Sequence, residues 1–148
     1  PRVKSLNYLN NILAKLEANR QQVPEALMLS TDGYVVECTG DNIFLVRGKQ
    51  LLTPTVWLGA RAGVTRNAIL ELACRHGLDV REEPFTLYEV YTADECFLTG
   101  TAAEAVPVVS VDARPIGTGQ PGPVTRRLVG DFKELTRRDG QPIARPGK

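Results

Sequence analysis

One histidine, one tryptophan and one methionine occur among 148 residues, and the three cysteines are widely separated. The lone His76 falls at the end of a helical pattern, so no Ser-His-Asp constellation can be assembled, which excludes the commonest hydrolase chemistry. Cys38, Cys74 and Cys96 are odd in number and show neither zinc-ligand spacing nor a disulfide framework. That usage fits a reducing cytoplasm. No apolar run approaches the roughly 20 residues needed to span a bilayer. Charge of either sign is also missing as a block: 18 basic and 17 acidic residues are scattered to a net charge of +1. Without a basic stripe, neither nucleic acid nor a membrane surface is indicated as partner. The denser pairs Arg126-Arg127 and Arg137-Arg138 read as solvated helix faces.

What is present is enough for one domain with a core, since 43% of residues are hydrophobic. Over residues 5–21, Leu6, Leu9, Ile12, Leu13 and Leu16 recur at helical spacing and predict an amphipathic helix. An antiparallel meander is predicted next. Its strands are Ala26-Leu-Met-Leu, Tyr34-Val-Val-Glu, Asn42-Ile-Phe-Leu-Val and Leu51-Leu52, broken by turns at Asp32-Gly33, Thr39-Gly-Asp and Arg47-Gly-Lys. These strands are apolar on both faces, which predicts burial beneath helices. A glycine-containing loop at 59–63 leads into a second helix with a stripe of Ala68, Ile69, Leu72 and Ala73, closed by Gly77. A strand is expected at 80–85, then a short helix with Thr86 as N-cap and Glu89 completing a capping box. Further strands are expected at 95–99 and 106–111, separated by the small-residue turn Gly100-Thr-Ala-Ala. A last helix runs from 124 to about 137, and residues 137–148, rich in Gly, Pro and charge, predict a flexible tail. The fold class is α+β, with a twisted mixed sheet.

Two places could carry chemistry on local grounds. The 59–63 loop followed by Val64-Thr65 at a helix N-terminus is a candidate anion site, because backbone N–H groups and the positive end of the helix dipole converge there. The Gly100-Thr101-Ala102-Ala103 turn offers a hydroxyl and small residues that let a ligand approach the backbone. Taken singly each signal is weak. Cys74 and Cys96 fall in apolar patterns and read as core, Trp57 reads as packing, and Glu37 by itself reads as a strand-end carboxylate facing water.

In sequence order these pieces resemble the fold-type IV pyridoxal-phosphate enzymes. The resemblance rests on Lys4-Ser-Leu-Asn-Tyr-Leu-Asn, Glu37-Cys-Thr-Gly-Asp-Asn-Ile-Phe44, Gly63-Val-Thr-Arg66 and Ala93-Asp-Glu-Cys-Phe-Leu-Thr-Gly-Thr-Ala-Ala-Glu104. The segments Val111-Asp-Ala-Arg-Pro-Ile-Gly117 and Gly122-Pro-Val-Thr125 also fit. It covers residues 4 to about 135 and corresponds to the larger, C-terminal domain of that class (residues 1–136 here), with a pseudo-barrel sheet flanked by helices. A preceding smaller domain, on the order of a hundred residues, is expected to lie outside this chain, which opens on Pro-Arg-Val-Lys.

The resemblance implies a role for each matched residue. Lys4 corresponds to the lysine that forms the internal Schiff base and later shuttles a proton between substrate Cα and cofactor C4′. Glu37 corresponds to the carboxylate paired with the pyridine nitrogen, and Tyr8 to the phenol bonded to the ring hydroxyl. Val64, Thr65 and Thr101 correspond to the phosphate cup, and Ala102 and Ala103 to the turn that receives the substrate carboxylate. Cys38 and Asp41 stand where the commoner motif has Gly and Glu, and Ala62 replaces a larger or acidic residue. Within the class, the Lys4 and Thr99-Gly-Thr-Ala-Ala-Glu motifs look most like branched-chain aminotransferases, which pass the amino group of Leu, Ile or Val to 2-oxoglutarate through a pyridoxamine intermediate. D-amino acid transamination and aminodeoxychorismate cleavage use the same cradle and stay open as alternatives. So does an inert domain with a structural or dimerisation role. The implied assembly is a homodimer or higher oligomer.

Overall fold

The structure, a computed structural model, describes residues 5–139. Helix α1 (Leu9–Arg20) opens it, followed by strands β1 (Leu27–Leu29), β2 (Val35–Cys38), β3 (Asn42–Arg47) and β4 (Gln50–Thr53). A single 3-10 turn at Val56–Leu58 leads to α2 (Val64–Arg75), β5 (Asp79–Glu82), α3 (Leu87–Tyr91) and β6 (Glu95–Gly100). β7 (Glu104–Val108), the short β8 (Ser110–Val111) and β9 (Arg114–Pro115), and α4 (Pro123–Arg138) complete the described residues.

The frame is a five-stranded sheet in the order β5-β4-β3-β6-β7. β3 and β6 are its central strands because they are apolar on both faces, as a strand covered twice must be. Alternate side chains of β3 go to opposite cores. Ile43 and Leu45 pack with Val35, Phe85, Val90 and Leu98. Phe44 and Val46 pack with Ile69, Leu72, Leu128 and Phe132 of α2 and α4. Phe44 faces Phe97 across the β3–β6 ladder, ring centroids 4.9 Å apart and stacked, a pairing that adds to area burial. The sheet is thus covered by α2 and α4 on one side and by β1, β2, α3 and Ile116 on the other.

The mixed class is as the residues predict, but the connectivity departs from a simple meander. β1 and β2 form a separate two-stranded sheet, bulged between Met28 and Leu29. β5 lies parallel to β4, pairing Leu51 with Val80. A parallel neighbour requires a long crossover, and residues 54–78, with α2, supply it. β5 also ends at Glu82, because Pro84 cannot donate a ladder hydrogen bond. The strand expected at 106–111 begins earlier and breaks after Val108. The hairpin β8–β9 follows, turning through Asp112 and Ala113, both in the left-handed region at φ 50° and 59°. That is the conformation a two-residue hairpin needs, here adopted without glycine.

Local signals hold where they are self-contained. Gly33 (φ 83°) turns β1 into β2, and Gly77 (φ 71°) follows the end of α2. Thr86 and Glu89 form the predicted capping box, with Glu89 Oε2 accepting the Thr86 backbone N–H at 2.7 Å. α4 extends through Arg138, so residues 137 and 138 are helical rather than part of a tail.

Helix α1 is the main surprise. It starts at Leu9, not residue 5, and its apolar stripe is open: Leu9 is 68% exposed, Ile12 51% and Leu13 56%. Ala18 alone is buried. Polar contacts fix the helix instead. Asn11 Nδ2 donates to the Thr39 carbonyl at 2.8 Å. Lys15 Nζ donates to the Pro24 carbonyl and lies 4.0 Å from Glu25. Glu25 in turn accepts from the Thr39 hydroxyl and, at 3.2 Å, from its backbone N–H. Two other expectations are corrected by exposure. Cys74 is exposed rather than core, because it sits on the solvent side of α2. Trp57 is 72% exposed on its 3-10 turn and is not a packing residue among the described residues.

Candidate active site

At one end of the sheet, where β3 begins and β6 ends, lies a cavity of about 220 Å³. Four elements converge on it: the end of β2 (Glu37), the start of β3 (Asn42), the N-terminus of α2 (Gly63, Val64, Thr65) and the turn after β6 (Thr101, Ala102), with Tyr8 at the rim. Six of the residues singled out from sequence therefore share one wall system: Tyr8, Glu37, Val64, Thr65, Thr101 and Ala102. Ala103 sits next in the same turn but does not line the cavity. Lys4 lies outside the described residues.

Glu37 does not face open water. Its Oε2 accepts the Arg61 backbone N–H at 3.0 Å and lies 3.5 Å from Asn42 Nδ2. Opposite it, α2 begins at Gly63 with extended backbone (φ −72°, ψ 145°) and no capping side chain. The first N–H groups of an α-helix have no intrahelical partners, so this end presents donors and the positive pole of the dipole. Thr65 in that first turn is buried, whereas Val64 is 79% exposed. Across the cavity, Gly100 packs so closely against Asp41 that a Cβ would overlap Asp41 Oδ1. In the wall itself the Thr99 hydroxyl is buried without a hydrogen-bond partner among the described residues.

Two titrating groups border the site. Burial raises the Asp41 carboxyl above the usual range, Glu25 raises it further, and Lys15 opposes them. Burial pushes the Cys38 thiol far up, and Glu25, Cys96, Asp41 and Glu37 add to this in that order. Strand alternation explains the contrast with its neighbour: Glu37 faces the cavity while Cys38 enters the core with Ile43 and Cys96. Cys38 is therefore a protonated core thiol and not a nucleophile.

The sequence reading missed Asn42, which joins Glu37 to the Arg61 loop, donating to the Arg61 carbonyl at 2.8 Å. A polar residue starting an otherwise apolar strand was the available signal. The Glu25–Thr39–Asn11 link to α1 was also missed, because its members are up to 28 residues apart.

A negative carboxylate on one wall and a helix N-terminus on another suit a ligand that is cationic at one end and anionic at the other. A family model for class IV aminotransferases matches residues 1–111. This chain belongs to the class IV aminotransferase family. Among its relatives, the branched-chain-amino-acid aminotransferase of Pseudomonas aeruginosa is 48% identical over 128 residues, covering 86% of this chain and 41% of that protein. The crystal structure of branched-chain amino acid aminotransferase from Thermobaculum terrenum, in its PLP form, superposes with a TM-score of 0.89 at 41% identity. That superposition covers 94% of this chain and 46% of that one. The Escherichia coli branched-chain enzyme gives a TM-score of 0.85 at 43% identity, covering 87% of this chain and 44% of that one. This class IV chain thus spans less than half the length of each of these relatives. Among its described helices, none is long and apolar enough to cross a membrane.

Proposed function

We propose that this chain carries the cofactor-binding part of a pyridoxal-phosphate-dependent branched-chain aminotransferase, moving the amino group of leucine, isoleucine or valine to 2-oxoglutarate. The observation that carries the reading is the cavity itself. It sets the Glu37 carboxylate and the N-terminus of α2 on separate walls, a donor set that suits a protonated ring nitrogen and a phosphate on one small molecule. The kinship to branched-chain enzymes supports the substrate class.

In this reading Glu37, held by the Arg61 N–H, keeps the cofactor's ring nitrogen protonated. When bound, pyridoxal phosphate supplies an electron sink at the substrate Cα. The backbone N–H groups of Val64 and Thr65 and the hydroxyl of Thr101 hold the phosphate. Tyr8 donates to the ring hydroxyl. Lys4 would be the amine that holds the cofactor covalently, and once freed it would carry a proton between the substrate Cα and cofactor C4′. Backbone N–H groups at Ala102 and Ala103 receive the substrate carboxylate. The working assembly is a homo-oligomer, which the apolar stripe that α1 leaves open supports, and the free cysteines suit a cytoplasmic location.

The test uses the full-length protein. Titration with pyridoxal phosphate is expected to give a visible absorbance band that Lys4→Ala abolishes and L-leucine bleaches. Absence of a lysine-dependent band overturns the cofactor reading. Bleaching by D-alanine and not by L-leucine overturns the substrate assignment.

A further inference from the structure

Asn42 is an unusual residue to find as the first position of a central strand. Asparagine is disfavoured in strands, and burying an amide carries a cost unless its hydrogen bonds are made. Yet Asn42 is 7% exposed, opposite Thr99 in the β3–β6 register. Its contacts explain why the position is polar. Nδ2 donates to the Arg61 carbonyl at 2.8 Å and approaches Glu37 Oε2 at 3.5 Å. The Arg61 N–H donates to that same Glu37 oxygen at 3.0 Å. On its other side the Asn42 Oδ1 lies against Gly63, so closely that a Cβ there would overlap it. Gly63 is the N-cap of α2.

A single amide therefore touches both poles of the cavity, the carboxylate and the start of the helix. The need for such a link follows from the topology. Glu37 rides on β2, which belongs to a two-stranded sheet separate from the main one, while α2 hangs on the loop between β4 and β5. No ladder connects them. We propose that Asn42 is a positioning residue that locks the Glu37 carboxylate to the N-terminus of α2, so that ring nitrogen and phosphate of one cofactor are met together. The proposal rests on the pyridoxal-phosphate reading of this cavity and adds a residue to it.

The experiment measures the dissociation constant for pyridoxal phosphate by absorbance and fluorescence titration of the full-length protein, with circular dichroism to verify folding. Asn42→Ala is expected to weaken binding about tenfold, the effect of losing one hydrogen bond to a charged group. Asn42→Asp keeps the shape but replaces donors with a like charge beside Glu37, and is expected to weaken binding more than Asn42→Ala. In a Glu37→Gln background, Asn42→Ala is expected to change affinity by less than about threefold, because the two residues act as a unit. Gly63→Ala, which presses on the amide from the far side, supplies a second probe. It is expected to weaken binding with Asn42 present and to have little effect once Asn42 is alanine. Asn42→Asp binding as tightly as the unaltered protein, or losses that simply multiply in the Glu37→Gln background, would overturn the proposal. Failure of the unaltered protein to bind the cofactor would instead overturn the functional reading beneath it.

Discussion

The Glu95 carboxylate sits on the N-terminus of α4, its Oε2 accepting the Thr125 backbone N–H at 2.7 Å and its Oε1 that of Val124 at 3.1 Å. It substitutes for the capping side chain that Gly122, the N-cap, does not have. Gly122 is the residue that permits this, since any Cβ there would overlap the Glu95 carboxyl. Glu95→Ala is expected to lower unfolding free energy by about 2–3 kcal/mol, leaving two helix N–H groups buried without acceptors. Glu95→Gln, which keeps one acceptor and no charge, is expected to cost about half as much. Urea denaturation decides it: an unchanged midpoint for Glu95→Ala would show the cap to be of no energetic consequence.

The β8–β9 turn holds Ala113 at φ 59°, a conformation that is strained for residues with a Cβ and costs on the order of 1 kcal/mol. Ala113→Gly is expected to stabilise the protein by about 0.5 kcal/mol after the extra chain entropy of glycine is subtracted. The sign is the informative part. A lower melting temperature for this variant would show that the turn is held by something other than its local conformation.

Asp41 links stability to pH. Its folded carboxyl titrates above the ordinary 3.8, first through burial and then through Glu25. The folded state thus holds the proton more tightly than the unfolded chain. The resulting stabilisation is full below the unfolded value and is lost as pH rises through the folded one. Asp41→Asn removes that loss. Relative to the unaltered protein, the variant is expected to gain stability on going from acid to neutral pH, and matched urea titrations at the two pH values would reveal a flat or reversed difference if Asp41 were unperturbed.

Thiol chemistry separates the cysteines. Cys38 and Cys96 are buried and Cys74 is exposed, and burial pushes the Cys96 thiol up to about 12. Native protein is expected to react rapidly with an aromatic disulfide reagent at Cys74, and at the other two positions only after denaturation. Rapid reaction of Cys38 in the native state would place it in the cavity and not in the core.

The candidate site was more legible than the fold around it. Tyr8, Glu37, Thr65 and Thr101 stand out through the order of the family motifs, and the fold brings these four to one cavity, while Lys4 lies outside the described residues. Other features follow local rules. The capping box at Thr86 and Glu89 depends on atoms three residues apart, and the turn at Gly33 on one residue's φ. Asn42, by contrast, gained its meaning from Arg61, 19 residues away. Glu95 gained its own from Thr125, 30 residues away. No periodicity reports contacts at such separations.

Composition and local pattern by themselves determined the α+β class, the helices α2 and α4, the tight turns and the order of the family motifs, because each depends on backbone preferences within a few residues. Tertiary structure alone decided that β5 runs parallel to β4, that Cys74 is exposed, and that the stripe of α1 stays open while polar contacts from Asn11 and Lys15 hold the helix in place. An apolar stripe states that a surface prefers cover. Which surface covers it depends on where the rest of the chain packs, and hydrophobic attraction, being non-directional, carries no address.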